Sequence, residues 1–328
     1  MIAAPFPWFG GKSRAADLIW SRFGAGIGNY VEPFLGSAAV WLNRPAAFDG
    51  WAALNDKDGN VANFWRAMQA DPEAVAAAAD WPVSEVDLHA RHLWLVTHGR
   101  RLADRLMADP DHFDARAAGW WAWGACAWIG SGWCAGDGPW HAELDDEGVP
   151  VFTLGNGGKG VNRKLPRLGD GGTGVNRQLP HLGDGGKGVN RQLPHLGDRR
   201  AWLVDWFGRL AERLKGARVT CGDWERVCSV GSMTRNGVCG VLLDPPYSTT
   251  EPVYANDGRE ISATVREWCL ANGDNRQLRI ALCGHVGEHE LAGWECVTWH
   301  AKGGYQGAED RERIWFSPAC LQPQPELF

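Results

Sequence analysis

The apolar run Val241-Leu242-Leu243 leads directly into Asp244-Pro245-Pro246-Tyr247. Such a run is typical of a strand that is buried on both faces of a parallel sheet. The two prolines forbid further strand pairing and an immediate helix, so the chain has to turn there. In open α/β sheets, ligands bind at turns that follow the carboxyl ends of strands. The sequence therefore predicts an α/β fold with an active site at this turn, suited to an amino group on a planar base.

Composition sets limits on the class of protein. A chain of 328 residues with 45% hydrophobic content can bury the core of one large domain or two modest ones. The sequence contains no apolar run of about 18 residues and does not begin like a signal peptide, which predicts a cytoplasmic protein without a membrane partner. The nine cysteines include no Cys-x-x-Cys pair, which favours reduced, buried thiols over disulfides or a zinc site.

Patterns of strands alternating with helices occur at both ends of the chain. Residues 1–66 resemble the start of a βαβ unit, and residues from about 201 return to the same pattern. The stretch from Val61 to Met107 is largely helical, with helix starts at Asp71 and Ser84. We therefore predict a catalytic domain formed by residues 1–66 and 201–328, with residues 67–200 as an inserted region. The expected strands lie at 30–31, 52–54, 218–221, 240–243 and 279–283, with an antiparallel pair at 294–299 and 312–316. The pattern of residues 118–136, rich in Trp, Gly and Cys, gives no assignment.

A 14-residue repeat occupies residues 154–198 of the inserted region. Residues 154–200 carry nine Lys or Arg against three Asp, a net charge of +6. Since the whole chain carries −6, the remainder carries −12, so a basic segment is attached to an acidic body. Each copy contains an Asn-Arg pair, and these residue types suit base edges and phosphates. The predicted DNA-binding residues are Asn162, Arg163, Asn176, Arg177, Asn190 and Arg191. The alternative is a duplicated flexible insert.

Three further segments combine small residues with polar or aromatic groups. The segment from Pro7 to Ser13 contains Gly11-Lys12 but lacks the first glycine of a P-loop, because Phe6 stands at that position. Phe34-Leu35-Gly36-Ser37 indicates a strand-to-helix turn that a ligand can approach closely. Asp56 follows Gly36 by 20 residues, a spacing common for an acid that holds ribose hydroxyls. Cys221-Gly222-Asp223-Trp224 offers a further acid and ring after a strand.

In their order along the chain, these segments resemble the DNA adenine-N6 methyltransferases of the Dam-like (D12 class) family. The resemblance covers roughly residues 5–66 and 218–316, whereas the repeats depart from the compact recognition domain of the best-known members. The chain is similar to a phage-type member with a repeat-containing recognition region. The resemblance implies a Rossmann-like methyltransferase fold with an inserted DNA-recognition region, S-adenosyl-L-methionine as cofactor and double-stranded DNA as partner.

The resemblance also assigns roles to residues by motif. It implies that Trp8 and Lys12 contact S-adenosylmethionine, that Phe34 and Gly36 line its methionine end, and that Asp56 holds the ribose. Asp223 would hold the adenine of the cofactor, and Asp244 would border both the cofactor and the target base. The implied catalytic residues are Asp244, Pro245, Pro246 and Tyr247.

The implied chemistry is a direct, in-line methyl transfer to N6 of an adenine that has left the duplex. The amino nitrogen shares its lone pair with the ring and is a poor nucleophile, so it has to be oriented. The Asp244 carboxylate and the Pro245 carbonyl can accept its two hydrogens, and no metal is required.

Other interpretations remain open. The site also suits methylation of cytosine N4 or of RNA, and the protein could be a DNA-binding protein that has lost catalysis. Taken singly, Trp8 could be a core residue, Lys12 a solvated lysine and Asp56 a helix cap.

Overall fold

The structure is a computed structural model that describes residues 2–8, 10–128, 133–134, 140–144, 150–154, 199–247, 258–299 and 311–322. Its strands are β1 (Asn29–Glu32), β2 (Trp51–Asp56), β3 (Trp140–Leu144), β4 (Pro150–Leu154), β5 (Ala217–Cys221), β6 (Cys239–Leu243), β7 (Leu278–His285), β8 (Glu295–Thr298) and β9 (Glu312–Phe316). Its helices are α1 (Ala16–Phe23), α2 (Ala39–Leu42), α3 (Gly59–Ala70), α4 (Pro72–Ala79), α5 (Glu85–Ala108), α6 (Ala115–Ala127), α7 (Arg199–Leu214), α8 (Val230–Met233) and α9 (Gly258–Asn272).

The chain divides into two compact units. The first unit comprises Met1–Ala3, Phe9–Lys57 and Gly216–Phe328, and the second comprises Ala4–Trp8 and Asp58–Lys215. Helices α3 and α7 lie in the second unit, although the sequence pattern placed them in the catalytic domain. The assignment of catalysis to one part of the chain and DNA recognition to the other stays a prediction.

A mostly parallel sheet forms the centre of the first unit. Its order is β5-β2-β1-β6-β7-β9-β8, and β9 runs antiparallel to both of its neighbours. The other neighbouring strands pair in parallel. The chain passes from β1 to β2 on one side, while β6 lies on the other side of β1, so the order reverses at β1. The α/β class, the expected strands and the antiparallel closing pair are confirmed.

The central strands of the sheet are buried, and β6 is apolar throughout, whereas β1 also buries Asn29 and Glu32. All five residues of β6 and all four of β1 are buried. On α9, Val265 and Cys269 lie one helical turn apart and pack against the cluster that includes Val241. Full burial of an aliphatic side chain of this size stabilises the fold by about 1.5–3 kcal/mol. This packing fixes the carboxyl end of β6, which Asp244 directly follows.

The second unit contains helices α3 to α7 and a two-stranded antiparallel sheet of β3 and β4. The predicted helix starts are confirmed, since the Asp71 carboxylate accepts a hydrogen bond from the Ala74 N–H at 2.9 Å and the Ser84 hydroxyl accepts one from the Asp87 N–H at 3.1 Å. Helix α6 was not predicted. It is buried on almost every side and so lacks the polar face by which an amphipathic helix is recognised.

Three further observations concern the expectations on composition. All nine cysteines are free thiols, and seven of them are buried, as expected. Among the residues that the structure describes, no helix is long and apolar enough to cross a membrane. The repeats, with the six Asn and Arg residues assigned to DNA, lie outside the described residues apart from Leu154.

Candidate active site

The candidate site lies along one edge of the sheet, where the carboxyl ends of the parallel strands meet. Gly36 follows β1, Asp56 ends β2, Asp223 follows β5 and Asp244 follows β6. Because β9 is antiparallel, its first residue Glu312 stands opposite His285 at the same edge. The structure thus brings the predicted residues of the first unit to one side of the sheet.

Asp244 is paired with Lys12. The Lys12 Nζ lies 3.0 Å from the Asp244 Oδ1, and the lysine side chain is only 3% exposed, against 23% for the aspartate. Nζ also donates a hydrogen bond to the Gly10 carbonyl at 2.7 Å. The interpretation of Lys12 as a solvated lysine is therefore wrong. Its ammonium compensates the charge of a carboxylate that closes a buried strand.

Tyr247 and Glu312 complete this cluster. The Tyr247 hydroxyl lies 3.1 Å from the Asp244 Oδ1 and 3.0 Å from the Glu312 Oε2. Glu312 Oε2 is 3.8 Å from the Lys12 Nζ, and Oε1 is 3.7 Å from the His285 Nε2. The Tyr247 hydroxyl carries one proton, so it can donate to only one of the two carboxylates at a time. Of the other two residues of the turn, Pro245 is buried and Pro246 half-buried.

The sequence reasoning missed Glu312. The available signal was an acid at the start of the apolar run Ile314-Trp315-Phe316, in a strand that was correctly predicted. Its role becomes visible only through the strand order, which places β9 beside β7 and β7 beside β6.

The charges of this cluster are strongly coupled. Burial by itself would lower the pKa of Lys12, but the carboxylates of Asp244 and Glu312 outweigh burial and raise it. Burial raises the pKa of Asp244, and the Lys12 ammonium offsets this only in part. Burial alone would raise the pKa of Glu312 as well, but the interaction with His285 and the charge of Lys12 hold it below its usual value. At neutral pH, the cluster therefore contains an ammonium and an ionised Glu312.

A second part of the site surrounds Asn55, which is completely buried. Its amide nitrogen donates hydrogen bonds to the Pro33 carbonyl at 3.1 Å and to the Gly222 carbonyl at 2.9 Å. Its amide oxygen accepts a hydrogen bond from the Thr220 hydroxyl at 2.9 Å. One side chain of β2 thus connects the chain segments that follow β1 and β5. The residues predicted to bind the cofactor lie at this edge of the sheet.

Asp56 shapes the loop between β1 and α2. Its Oδ2 accepts a hydrogen bond from the backbone N–H of Gly36 at 2.8 Å. Within this loop, Gly36 has φ = 47° and Ala38 has φ = 53°, both left-handed. The helix-cap interpretation of Asp56 is wrong, because Asp58 occupies the N-cap position of α3. The Asp56 carboxylate instead holds the glycine turn in its present shape.

Aromatic and acidic groups stand beside the carboxyl ends of β1 and β5. Phe34 is half-buried and stacks on Trp224, with ring centroids 6.2 Å apart and an interplanar angle of 26°. Asp223 is exposed, and its Oδ1 accepts a hydrogen bond from the Glu225 N–H at 3.0 Å, which caps a short 3₁₀ helix. This arrangement offers a flat ring and a carboxylate beside the end of β5.

Trp8 groups with the second unit, where it is half-buried and packs edge to face on Phe6 at 5.9 Å. Its cofactor role stays a prediction, as do the roles of the other site residues. Within the described ranges, no group of three or more His, Cys, Asp or Glu side chains could hold a metal ion.

Glu32 is a second buried acid that the sequence reasoning missed. It is 4% exposed and accepts a hydrogen bond from the Tyr30 hydroxyl at 2.9 Å. Burial raises the pKa of Glu32 to about 8, against the opposing effect of Tyr30, and the charges of Asp244 and Asp56 add to the increase. Glu32 is therefore mainly protonated at neutral pH, so it adds little negative charge at the carboxyl end of β1.

Comparison with known families gives a match to part of the chain. Residues 8–85 match the family model described as D12 class N6 adenine-specific DNA methyltransferase. The matched segment contains Lys12, Gly36 and Asp56 and ends well before Asp244. A search of curated proteins gave no match. Over residues 8–85 the chain is thus similar to the D12 class DNA methyltransferases, which indicates an enzyme that methylates adenine in DNA.

Proposed function

We propose that this protein transfers a methyl group from S-adenosylmethionine to N6 of adenine at specific sites in duplex DNA. The observation that carries the proposal is the cluster of Asp244, Tyr247 and Lys12 at the end of β6, together with the family match over a segment that contains Lys12, Gly36 and Asp56. We propose further that the sheet is of the Rossmann-like methyltransferase type, with an inserted DNA-recognition region, in a cytoplasmic protein.

The residues at the carboxyl ends of β1, β2 and β5 fit the cofactor. The Gly36 turn allows close approach to the backbone, and Asp56 at the end of β2 stands where an acid accepts hydrogen bonds from ribose hydroxyls. Phe34 and Gly36 would line the methionine end of the cofactor, and the carboxylate of Asp223 suits the amino group of its adenine. S-adenosylmethionine would supply an electrophilic methyl group on a sulfonium.

The chain's own residues would bind and orient the target base. The Asp244 carboxylate and the Pro245 carbonyl accept the two hydrogens of the amino group, which directs the nitrogen lone pair at the methyl group. Extrusion of a base from the duplex costs a few kcal/mol, and stacking on an aromatic such as Tyr247 returns about 1–3 kcal/mol. Phosphate contacts supply the remainder, and the Asn-Arg pairs of the repeats are our candidates for them.

The deciding experiment compares the wild type with Asp244→Ala and with Asp274→Ala, an exposed acid between α9 and β7. Labelled methyl groups are supplied on S-adenosylmethionine, and the product nucleosides are analysed. We expect N6-methyladenine with the wild type and with Asp274→Ala, and none with Asp244→Ala. Undiminished transfer by Asp244→Ala would contradict the proposal. N4-methylcytosine or methylated RNA would support the alternative substrates, and a wild type that binds DNA but no cofactor would support a silent DNA-binding protein.

A further inference from the structure

Glu312 has no place in the proposed transfer, yet it is built into the same cluster. The side chain is buried, and its Oε2 lies within 3.0 Å of the Tyr247 hydroxyl and 3.8 Å of the Lys12 Nζ. Its other oxygen lies 3.7 Å from His285. A buried carboxylate with these neighbours is held in place on both of its oxygens.

The arrangement of donors around Asp244 is poor for accepting an amino group. Oδ1 of Asp244 already lies within hydrogen-bonding distance of the Lys12 ammonium and the Tyr247 hydroxyl. An ammonium at 3.0 Å withdraws electron density from the carboxylate, which weakens it as an acceptor for the target nitrogen. Asp244 would orient the base better if both donors turned to another acceptor.

Lys12 cannot leave Asp244 by moving into water, because its side chain is 3% exposed and a buried ammonium needs a compensating charge. Glu312 is the second carboxylate within 4 Å of Nζ among the described residues. It is ionised at neutral pH, since interactions with His285 and Lys12 hold its pKa below the usual value although burial opposes this. A short shift of Nζ, from 3.0 Å toward Asp244 to closer contact with Glu312, retains the ion pair.

We propose that Glu312 is a positioning residue that takes over the Lys12 ammonium and the Tyr247 hydroxyl when the target base occupies Asp244. This inference rests on the proposed function. In this scheme, Lys12 exchanges between two carboxylates and remains near enough to keep Asp244 ionised, while the Oδ1 of Asp244 becomes available to the amino group of the base. The exchange requires no proton transfer and no change in covalent bonds.

The test compares single-turnover methylation by the wild type, Glu312→Gln and Glu290→Gln, the last an exposed acid before β8. Glutamine keeps the shape and an acceptor for Tyr247 but removes the charge. We expect the rate of Glu312→Gln to fall about 10-fold to 100-fold, the usual worth of a charged hydrogen-bond partner. Its dissociation constants for S-adenosylmethionine and DNA should stay within about 2-fold of the wild type. An unchanged rate, or equal losses in rate and cofactor affinity, would overturn the inference.

A double-mutant cycle separates the proposed role from a structural one. If Glu312 acts by receiving Lys12, Glu312→Gln should have almost no further effect in the Lys12→Met background. Independent losses that multiply would overturn the inference. Glu312→Asp, which keeps the charge on a shorter side chain, covers the case that glutamine disturbs folding, and we expect it to be faster than Glu312→Gln. A wild type without methyl transfer contradicts the proposed function itself, whereas an active wild type with an equally active Glu312→Gln contradicts only this inference.

Discussion

The Oδ2 of Asp56, at the end of one strand, accepts a hydrogen bond from the backbone N–H of Gly36, in the loop that follows the neighbouring strand, at 2.8 Å. Asp56→Ala removes both this bond and the proposed ribose contact. We expect its affinity for S-adenosylmethionine to fall at least about 10-fold, because a charged acceptor is lost. Calorimetric titration measures this. Asp56→Asn keeps an oxygen for Gly36 and should lose less.

The matched control for Asp56 is Asp49→Ala, an exposed acid that precedes the same strand at its other end. It should bind the cofactor as the wild type does. Equal affinities for Asp56→Ala and Asp49→Ala would contradict a ribose-binding role for Asp56.

Lys12→Met tests the electrostatic pairing of the catalytic acid. Burial already raises the pKa of Asp244, and the Lys12 ammonium opposes this increase. Without the ammonium, the pKa of Asp244 should rise further, so the ionised carboxylate forms only at higher pH. We expect a rate at least about 10-fold lower at neutral pH, with the rising limb of the pH profile displaced to higher pH. A profile that loses height but keeps its position would contradict this pairing.

Glu32→Gln tests the buried acid at the carboxyl end of β1. The folded-state pKa of Glu32 is about 8, above the usual 4.5, so the protonated form is the one that folding favours. The protonated Glu32 side chain contributes fully to stability below pH 4.5, and this contribution is lost as the pH rises to about 8. Glutamine cannot ionise, so the variant should gain stability relative to the wild type over this range, by on the order of 5 kcal/mol.

Urea unfolding at pH 5 and pH 9 measures the Glu32 effect, with Glu290→Gln as the exposed control. A constant difference between the wild type and Glu32→Gln at the two pH values would show that Glu32 titrates as an ordinary glutamate.

Deletion of residues 155–198 tests the repeats as a DNA-binding segment. If the segment supplies about six phosphate contacts, the wild type should show a slope near −5 in log affinity against log salt, and the deletion should flatten it. Fluorescence anisotropy with labelled duplex DNA provides the measurement. An unchanged slope would support the alternative of a flexible insert.

Local sequence patterns predicted much of the fold because local physics determines it. The apolar run at Val241 marks a strand buried on both faces, and Asp71 and Ser84 mark helix starts through their own side chains. The position of Asp244 followed directly from the strand that precedes it. Helix α6 escaped prediction because it lacks a polar face.

The electrostatics of the site could not be predicted in the same way. The contact between Lys12 and Glu312 joins residues 300 positions apart and depends on the order of three strands, which no local pattern encodes. Likewise, the pKa of Glu32 follows from burial and from charges on other strands.

The two hydrogen bonds donated by the Asn55 side chain can form only in the order in which their acceptors are synthesised. Pro33 leaves the ribosome before Asn55, but Gly222 follows it by 167 positions. Until that later segment has emerged and β5 has paired with β2, the fully buried amide has only part of its bonding. A nascent chain that ends before Gly222 therefore contains Gly36 and Asp56 but lacks the second acceptor of the Asn55 amide, so this part of the candidate site can form only late in translation.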